Sequence, residues 1–129
     1  MTESPLRCSI VTPERAFFDE VVDGVVVPAH DGEVGILPGH ASFLARIGIG
    51  ELRVARGSEV SRWFVEGGFV EVRQNRVTVL TDSASEVDAV DLTGARETVE
   101  ALRSEEGRGE ELADALYRVS VMERVAGRD

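Results

Sequence analysis

Phe69-Val70-Glu71-Val72-Arg73-Gln74-Asn75-Arg76-Val77-Thr78-Val79-Leu80 is the stretch whose reading decides the fold. Two runs of β-branched and apolar residues flank a short polar link, the pattern of an antiparallel hairpin even without an Asn-Gly pair. Working outward, the same grammar holds from Leu6 to about Thr81: short Val, Ile, Leu and Phe runs cut by turn residues. Val25-Val26-Val27 ends at Pro28 and Ile36-Leu37 ends at Pro38-Gly39. Leu52-Arg53-Val54-Ala55-Arg56 alternates apolar and polar up to Gly57-Ser58, as a strand with one buried face does. Roughly eight to ten strands of ordinary length fit here, which predicts an antiparallel β-sandwich or barrel.

The period changes after Asp82-Ser83-Ala84-Ser85. Leu92, Ala95, Val99 and Leu102 recur at spacings of three and four, the mark of an amphipathic helix. Asp91 is placed to cap its first turn, and Gly107-Arg108-Gly109 supplies a stop and a reversal. A second stripe follows at Leu112, Ala115 or Leu116, Val119, Met122 and Ala126. Glu110, Glu111 and Asp114 stand at its start and Arg118, Arg124 and Arg128 towards its end, complementing the helix dipole. Both stripes are narrow, close to the seam of a two-helix coiled coil, so the two helices are expected to pack on each other. The expected class is α+β, with a β-sandwich over residues 1–86 and an antiparallel helical hairpin over 87–129. A hairpin this short is marginal alone and is a candidate mobile element.

Composition narrows the function classes. The chain has 129 residues, enough for one ordinary domain or a smaller one with an appendage, and folding at that size hides roughly two-thirds of the unfolded surface. With 14 Arg, no Lys and 24 acidic residues the net charge is -10, so nucleic acids and anionic lipid surfaces repel most of the molecule. Arg in place of Lys everywhere fits host codon usage better than a special role. Cys8 is the only cysteine and is read as a core residue; one cysteine excludes an intramolecular disulfide and a multi-cysteine zinc site. No basic-then-apolar leader opens the sequence and no apolar run approaches the ~20 residues that span a bilayer. The expectation is a soluble, cytoplasmic chain that meets a membrane only through partners.

His30, Asp31, Glu33 and His40 fall within eleven residues, which invites a metal or acid–base reading. The spacing argues against it: there is no His-Glu-x-x-His, calcium loop or serine elbow, and the intervening Gly and Pro put these side chains on successive turns. Gly67-Gly68 lacks the following helix that completes a phosphate site, and reads as a bulge or tight strand entry. Trp63 and Phe64 are neighbours that face opposite sides of a strand, so one is expected in the core and the other is a candidate partner anchor.

Several of these stretches occur together in one family. Thr12-Pro13, Asp31-Gly32-Glu33, Gly35-Ile36-Leu37-Pro38-Gly39-His40, Gly67-Gly68-Phe69-Val70-Glu71-Val72, Val77-Thr78-Val79-Leu80-Thr81-Asp82 and the terminal hairpin resemble, in that order, the epsilon subunit of F-type ATP synthases. The resemblance covers nearly the whole chain. It implies a non-catalytic central-stalk (rotor) subunit whose sandwich binds the gamma subunit and the c ring, and whose hairpin folds against the sandwich or extends into the catalytic alpha/beta hexamer to restrain hydrolysis. It implies a peripheral place on the cytoplasmic face of the cell membrane. On this reading Asp31, Gly32, Glu33, Ile36, His40 and Phe43 form the partner interface, and Arg118, Arg124 and Arg128 are the regulatory cations of the hairpin. One departure counts against ATP sensing. In relatives whose hairpin binds ATP, an Arg follows three residues after the Asp that matches Asp91; here Gly94 stands there, and Asp114 replaces an Arg four residues before Arg118. Asp91 and Arg118 are what remains of that nucleotide site, and neither a cofactor nor a metal is expected. The competing readings are a free-standing β-sandwich regulator that closes its hairpin on a small ligand, and an enzyme using the His30–His40 stretch.

Overall fold

The computed structural model describes residues 5–127. Ten strands form two five-stranded sheets. One sheet holds β1 (Leu6–Val11), β2 (Ala16–Val22), β5 (Phe43–Arg46), β8 (Phe69–Arg73) and β9 (Arg76–Leu80), in the order β2-β1-β9-β8-β5. The other holds β3 (Gly24–Ala29), β4 (Gly32–Ile36), β6 (Ile49–Arg56), β7 (Glu59–Glu66) and β10 (Ala84–Glu86), in the order β10-β7-β6-β3-β4. All ladders are antiparallel except β1 with β9, where Cys8 lies beside Val77 and Ile10 beside Val79.

The alternation read from the sequence is what fills the space between the sheets. Leu6, Cys8, Ile10, Val70, Val72, Val77 and Val79 line one inner face, and Val25, Val27, Ile36, Leu52, Val54, Trp63 and Val65 the other. At about 25 cal/mol per Å² of apolar surface, each fully buried Val or Leu contributes roughly 1.5–3 kcal/mol, which is why a one-residue slip of register is not tolerated. Cys8 is fully buried, and burial first, then the nearby Asp19 carboxylate, pushes its thiol up to about 12. It is therefore a packing residue that stays protonated at neutral pH.

The hairpin of β8 and β9 forms as its sequence demands. Arg73 faces Arg76, and Gln74 and Asn75 take φ of 49° and 59°, the left-handed pair that a two-residue turn of this twist requires. Two details depart from the sequence expectation. β3 does not end at Pro28 but continues to Ala29; its ladder to β6 stops at Val26, so beyond that point a residue without an N–H leaves no ladder bond unmade. Trp63 and Phe64 are both buried, at 8% and 1% exposure, so neither is a surface anchor. Phe17 and Phe18 meet the Trp63 ring edge-on at 6.2 and 6.3 Å.

The chain divides after Glu86, and the second unit opens with a short 3-10 turn, Val87–Ala89. Helix α1 (Leu92–Arg103) packs on α2 (Gly109–Ala126), with an Arg96–Glu123 ion pair at 3.4 Å across the pair. Asp91 caps α1 by accepting from the Gly94 amide at 2.8 Å. Arg108 braces the turn, donating to Glu105 and Glu111. Of the alternatives Ala115 or Leu116 it is Ala115 that is half-buried, and the α2 stripe differs from expectation only at its end: Val121 and Val125 are buried while Ala126 is exposed. The buried face there is wider than a coiled-coil seam, so a strict seam spacing missed it.

Gly67 and Gly68 are not inside a strand. They carry the chain from β7 in one sheet to β8 in the other, with φ of 74° and 108°. A Cβ on Gly68 would overlap the Leu80 carbonyl oxygen and stand 2.7 Å from Thr81 Cα, so only backbone movement could accommodate it. Gly68→Ala should lower stability by about 3 kcal/mol or more in denaturant titrations, whereas Gly35→Ala, with open space around it, should fall within about 0.5 kcal/mol. A loss below about 1 kcal/mol for Gly68→Ala would contradict this account of the corner.

Candidate functional site

Among the described residues, residue groups singled out in the sequence gather in two hollows on the sandwich. The larger, about 650 Å³, is lined by Val11, Thr12 and Pro13, by Arg46 and Ile47, by Gly67, Gly68 and Phe69, and by Leu80, Thr81 and Asp82. Three stretches distant in sequence, Thr12-Pro13, Gly67-Gly68-Phe69 and Leu80-Thr81-Asp82, thus meet at one place. The register explains how. Phe69 lies between Arg46 and Leu80, and Leu80 lies beside Val11, so these four form one row across the outer face of the β1 sheet. Phe69 and Leu80 are 48% and 51% exposed.

The buried Thr81 hydroxyl donates to the Gly67 carbonyl at 2.7 Å, with the Ser83 carbonyl at 3.1 Å. It holds the floor of the hollow. Sequence reasoning did not single out Phe69 or Leu80 as surface residues. The signal was present, because Val70, Val72 and Val79 face inward and their immediate neighbours must then face outward.

The second hollow, about 320 Å³, is lined by Asp31, Gly32, Glu33, Val34, His40 and Phe43 among others. Five of the six residues expected at a partner interface, Asp31, Gly32, Glu33, His40 and Phe43, are therefore brought together. The His40 and Phe43 rings stand 5.2 Å apart. Ile36 is the exception: it is 1% exposed and belongs to the core, because it pairs with Val25 and shares its inward direction. The exposed apolar residue on that segment is its neighbour Leu37, at 65%.

Glu33 anchors a chain of charges. Arg53 donates to Glu33 at 3.0 Å and to Glu51 at 2.9 Å, and Arg62 donates to Glu51 at 2.6 Å. The hydrogen bonds it donates to Glu33 first and to Glu51 second hold the Arg53 guanidinium above its already high range, so Arg53 is always charged. The Glu51 side chain is only 1% exposed, and such a carboxylate is tolerated only because two guanidinium groups compensate it.

The helix residues are arranged differently. Arg118 is half-buried and Arg124 exposed; six residues apart, they point about 120° apart around α2 and do not form one face. Arg128 lies outside the described residues. Asp91 is engaged as a cap, and a Cβ at Gly94 would overlap that carboxylate, with Cγ at 2.9 Å. An arginine at position 94 would have to displace the cap, so the glycine and the Asp91 rotamer belong together. Asp114 is exposed one turn before Arg118. Among the described residues no group of three or more His, Cys, Asp or Glu is placed to hold a metal ion, and no helix is long and apolar enough to cross a membrane.

The charge chain makes a quantitative contrast. Glu51→Ala leaves two guanidinium groups facing a vacated buried position and should cost about 3 kcal/mol. Glu33→Ala, at a side chain 49% exposed, should cost less than about 1 kcal/mol. Urea unfolding of the two variants measures the difference, and equal losses would refute the burial-based account.

Residues 5–87 match the ATP synthase delta/epsilon chain β-sandwich domain family. The chain is 44% identical over 90 residues to the ATP synthase epsilon chain of Desulforamulus reducens, spanning 70% of this chain and 68% of that one. It is 34% identical over 126 residues to the ATP synthase epsilon chain of Nitratidesulfovibrio vulgaris, spanning 98% and 94%. Among solved structures, a chain of the Euglena gracilis mitochondrial ATP synthase OSCP/F1/c-ring assembly superposes with a TM-score of 0.76 at 19% identity, over 95% of this chain and 81% of that one. A chain of the Tetrahymena thermophila mitochondrial ATP synthase central stalk/c-ring gives 0.69 at 15% identity, over 98% and 99%. At these identities the structures speak to the fold, and the sequence relatives to the family. With the sandwich, the helical pair and the motif residues meeting in two hollows, the chain belongs to the ATP synthase epsilon chain family, a non-catalytic subunit of that complex.

Proposed function

We propose that this chain is the central-stalk epsilon subunit of an F-type, proton-translocating ATP synthase. It works with the gamma subunit and the c ring in coupling proton flow to ATP synthesis, and its C-terminal helices restrain ATP hydrolysis. It is peripheral, on the cytoplasmic face of the cell membrane, and reaches the membrane through the complex. The observation that carries the reading is the gathering of the family's motif residues into two separate surface hollows on one sandwich. A rotor protein between two partners needs two such surfaces and no chemistry in either.

The two surfaces suit different contacts. The larger hollow, with Phe69 and Leu80 exposed beside Arg46, has the mixed apolar and Arg character of a docking core and is assigned to gamma. The smaller one presents the Asp31–Glu33 turn with His40 and Phe43, and is assigned to the c ring. The regulatory part is assigned to Arg118, Arg124 and Arg128 on the hairpin, which would meet acidic surfaces of the alpha/beta hexamer and be screened by salt. ATP sensing by the hairpin is not part of the proposal, since Gly94 and Asp114 replace the guanidinium groups that a polyphosphate requires.

Two experiments test the assignments. Phe69→Asp with Leu80→Asp, in a chain whose circular dichroism is unchanged, should abolish stoichiometric co-purification with gamma from gently solubilised membranes; full recovery would overturn the docking surface. Replacing Arg118, Arg124 and Arg128 together by Ala should raise ATP hydrolysis of the assembled enzyme about fivefold, the loss of roughly 1 kcal/mol of exposed ion pairing. Unchanged hydrolysis would remove the restraint mechanism and leave the stalk assignment standing.

A further inference from the structure

A row of arginines crosses three adjacent strands on the outer face of the β1 sheet, away from both hollows' linings. Arg7 on β1 lies beside Arg76 on β9, and Arg76 lies opposite Arg73 on β8. Their chain neighbours Cys8, Val77 and Val72 are buried between the sheets, so the three arginines share the outward direction. Like charges directly opposite on neighbouring strands repel and destabilise a sheet. In a chain of net charge -10, this is a local inversion of sign.

Only one member of the row, Arg7, is held in a direct ion pair. Arg7 donates to Asp19 at 2.7 Å, and that hydrogen bond first, then one from Ser9, with the field of Arg76 adding, holds the Asp19 carboxyl below its usual range. Among the described residues no ion pair or side-chain hydrogen bond is made by Arg73 or Arg76. The backbone beneath them is well fixed: the Gly39 amide donates to the Asn75 side chain at 2.7 Å, and the Arg7 amide to the Asn75 carbonyl at 2.9 Å. The pair is thus presented at a set spacing by a tight turn and not by a mobile loop.

We infer that the Arg7–Arg76–Arg73 row is an interaction surface for an acidic helix of a partner protein. Cβ atoms of directly opposed residues on adjacent strands stand about 5 Å apart. Carboxylates three or four residues apart on a helix have Cβ atoms about 5–6 Å apart, so one helix face bearing Asp or Glu at that interval meets Arg73 and Arg76 together. Each guanidinium then takes its own carboxylate in a forked, charge-assisted contact. A single phosphate fits less well, because no helix N-terminus adds amide donors to converge on one anion, as compact phosphate sites have. The inference stands on the register of the sheet and is independent of the ATP synthase assignment, and its test requires no assembled complex.

The test titrates the full-length, isotope-labelled chain with two synthetic helical peptides of equal composition, one with Glu pairs at i,i+4 and one with the Glu residues spread around the helix. Inorganic phosphate and phosphatidylglycerol vesicles are titrated separately. At low ionic strength the paired peptide should shift the amide signals of Arg7 and residues 73–76 and bind about tenfold more tightly to the native chain than to Arg73→Gln/Arg76→Gln. An exposed control on the helices, Arg103→Gln, should leave its affinity unchanged. Equal binding by the double variant, equal binding of both peptides, shifts elsewhere on the sandwich, or a stronger response of the same residues to phosphate or vesicles would each overturn the inference.

Discussion

Three crossings between the two sheets close at one end of the sandwich, and the rest of the molecule depends on that closure. The chain passes from β5 to β6 at Ile47-Gly48, from β7 to β8 at Gly67-Gly68, and from β9 to β10 at Thr81 to Ser83. These corners bind one another. The Ile47 amide donates to the Gly68 carbonyl, the Gly67 amide to the Gly48 carbonyl, the Gly48 amide to the Pro28 carbonyl and the Thr81 amide to the Val11 carbonyl. Backbone groups at a corner have no ladder to satisfy them, and an unmade bond of this kind in a buried place costs about 1–3 kcal/mol. These bonds satisfy corner groups that have no ladder partner, and Gly68 is the position where the backbones come too close for any side chain.

That closure also produces the surface on which function is proposed. Because the corners are glycine-rich and flat, they leave a hollow, and the strand residues just beyond them, Phe69 and Leu80, stand exposed on its rim. The hydrogen bonds that hold the corners thus also shape the proposed docking surface. The smaller hollow is supported in another way, by the Glu33–Arg53–Glu51–Arg62 chain running from an exposed turn to a buried carboxylate. Such a chain fixes the turn's position at little net stability, since the desolvation of Glu51 offsets most of its attraction to the arginines.

Expectations from the sequence succeeded where a local rule is enforced by burial or by backbone geometry. The hairpin at Arg73–Arg76, the Asp91 cap and the core role of Cys8 are of this kind. They failed where the deciding neighbour is remote in sequence. Pro28 looked like a strand end because nothing local says that its strand loses the β6 partner after Val26. Trp63 and Phe64 had to face opposite ways, but that both are buried depends on what covers each side. Ile36 sits inside a motif assigned to an interface and yet points into the core, since its pairing with Val25 sets its direction.

The sequence by itself determined the class of fold, the change from strand period to helix period near residue 86, and the family, because alternation, turn residues and loop motifs are properties of short stretches. Only the tertiary structure decided which stretches meet. Thr12-Pro13, Gly67-Gly68-Phe69 and Leu80-Thr81-Asp82 share a hollow, and Arg7, Arg76 and Arg73 share a row, through a parallel pairing of the first strand with the ninth. Strand order and register are set by the global packing of apolar faces, a collective energy that no local pattern encodes.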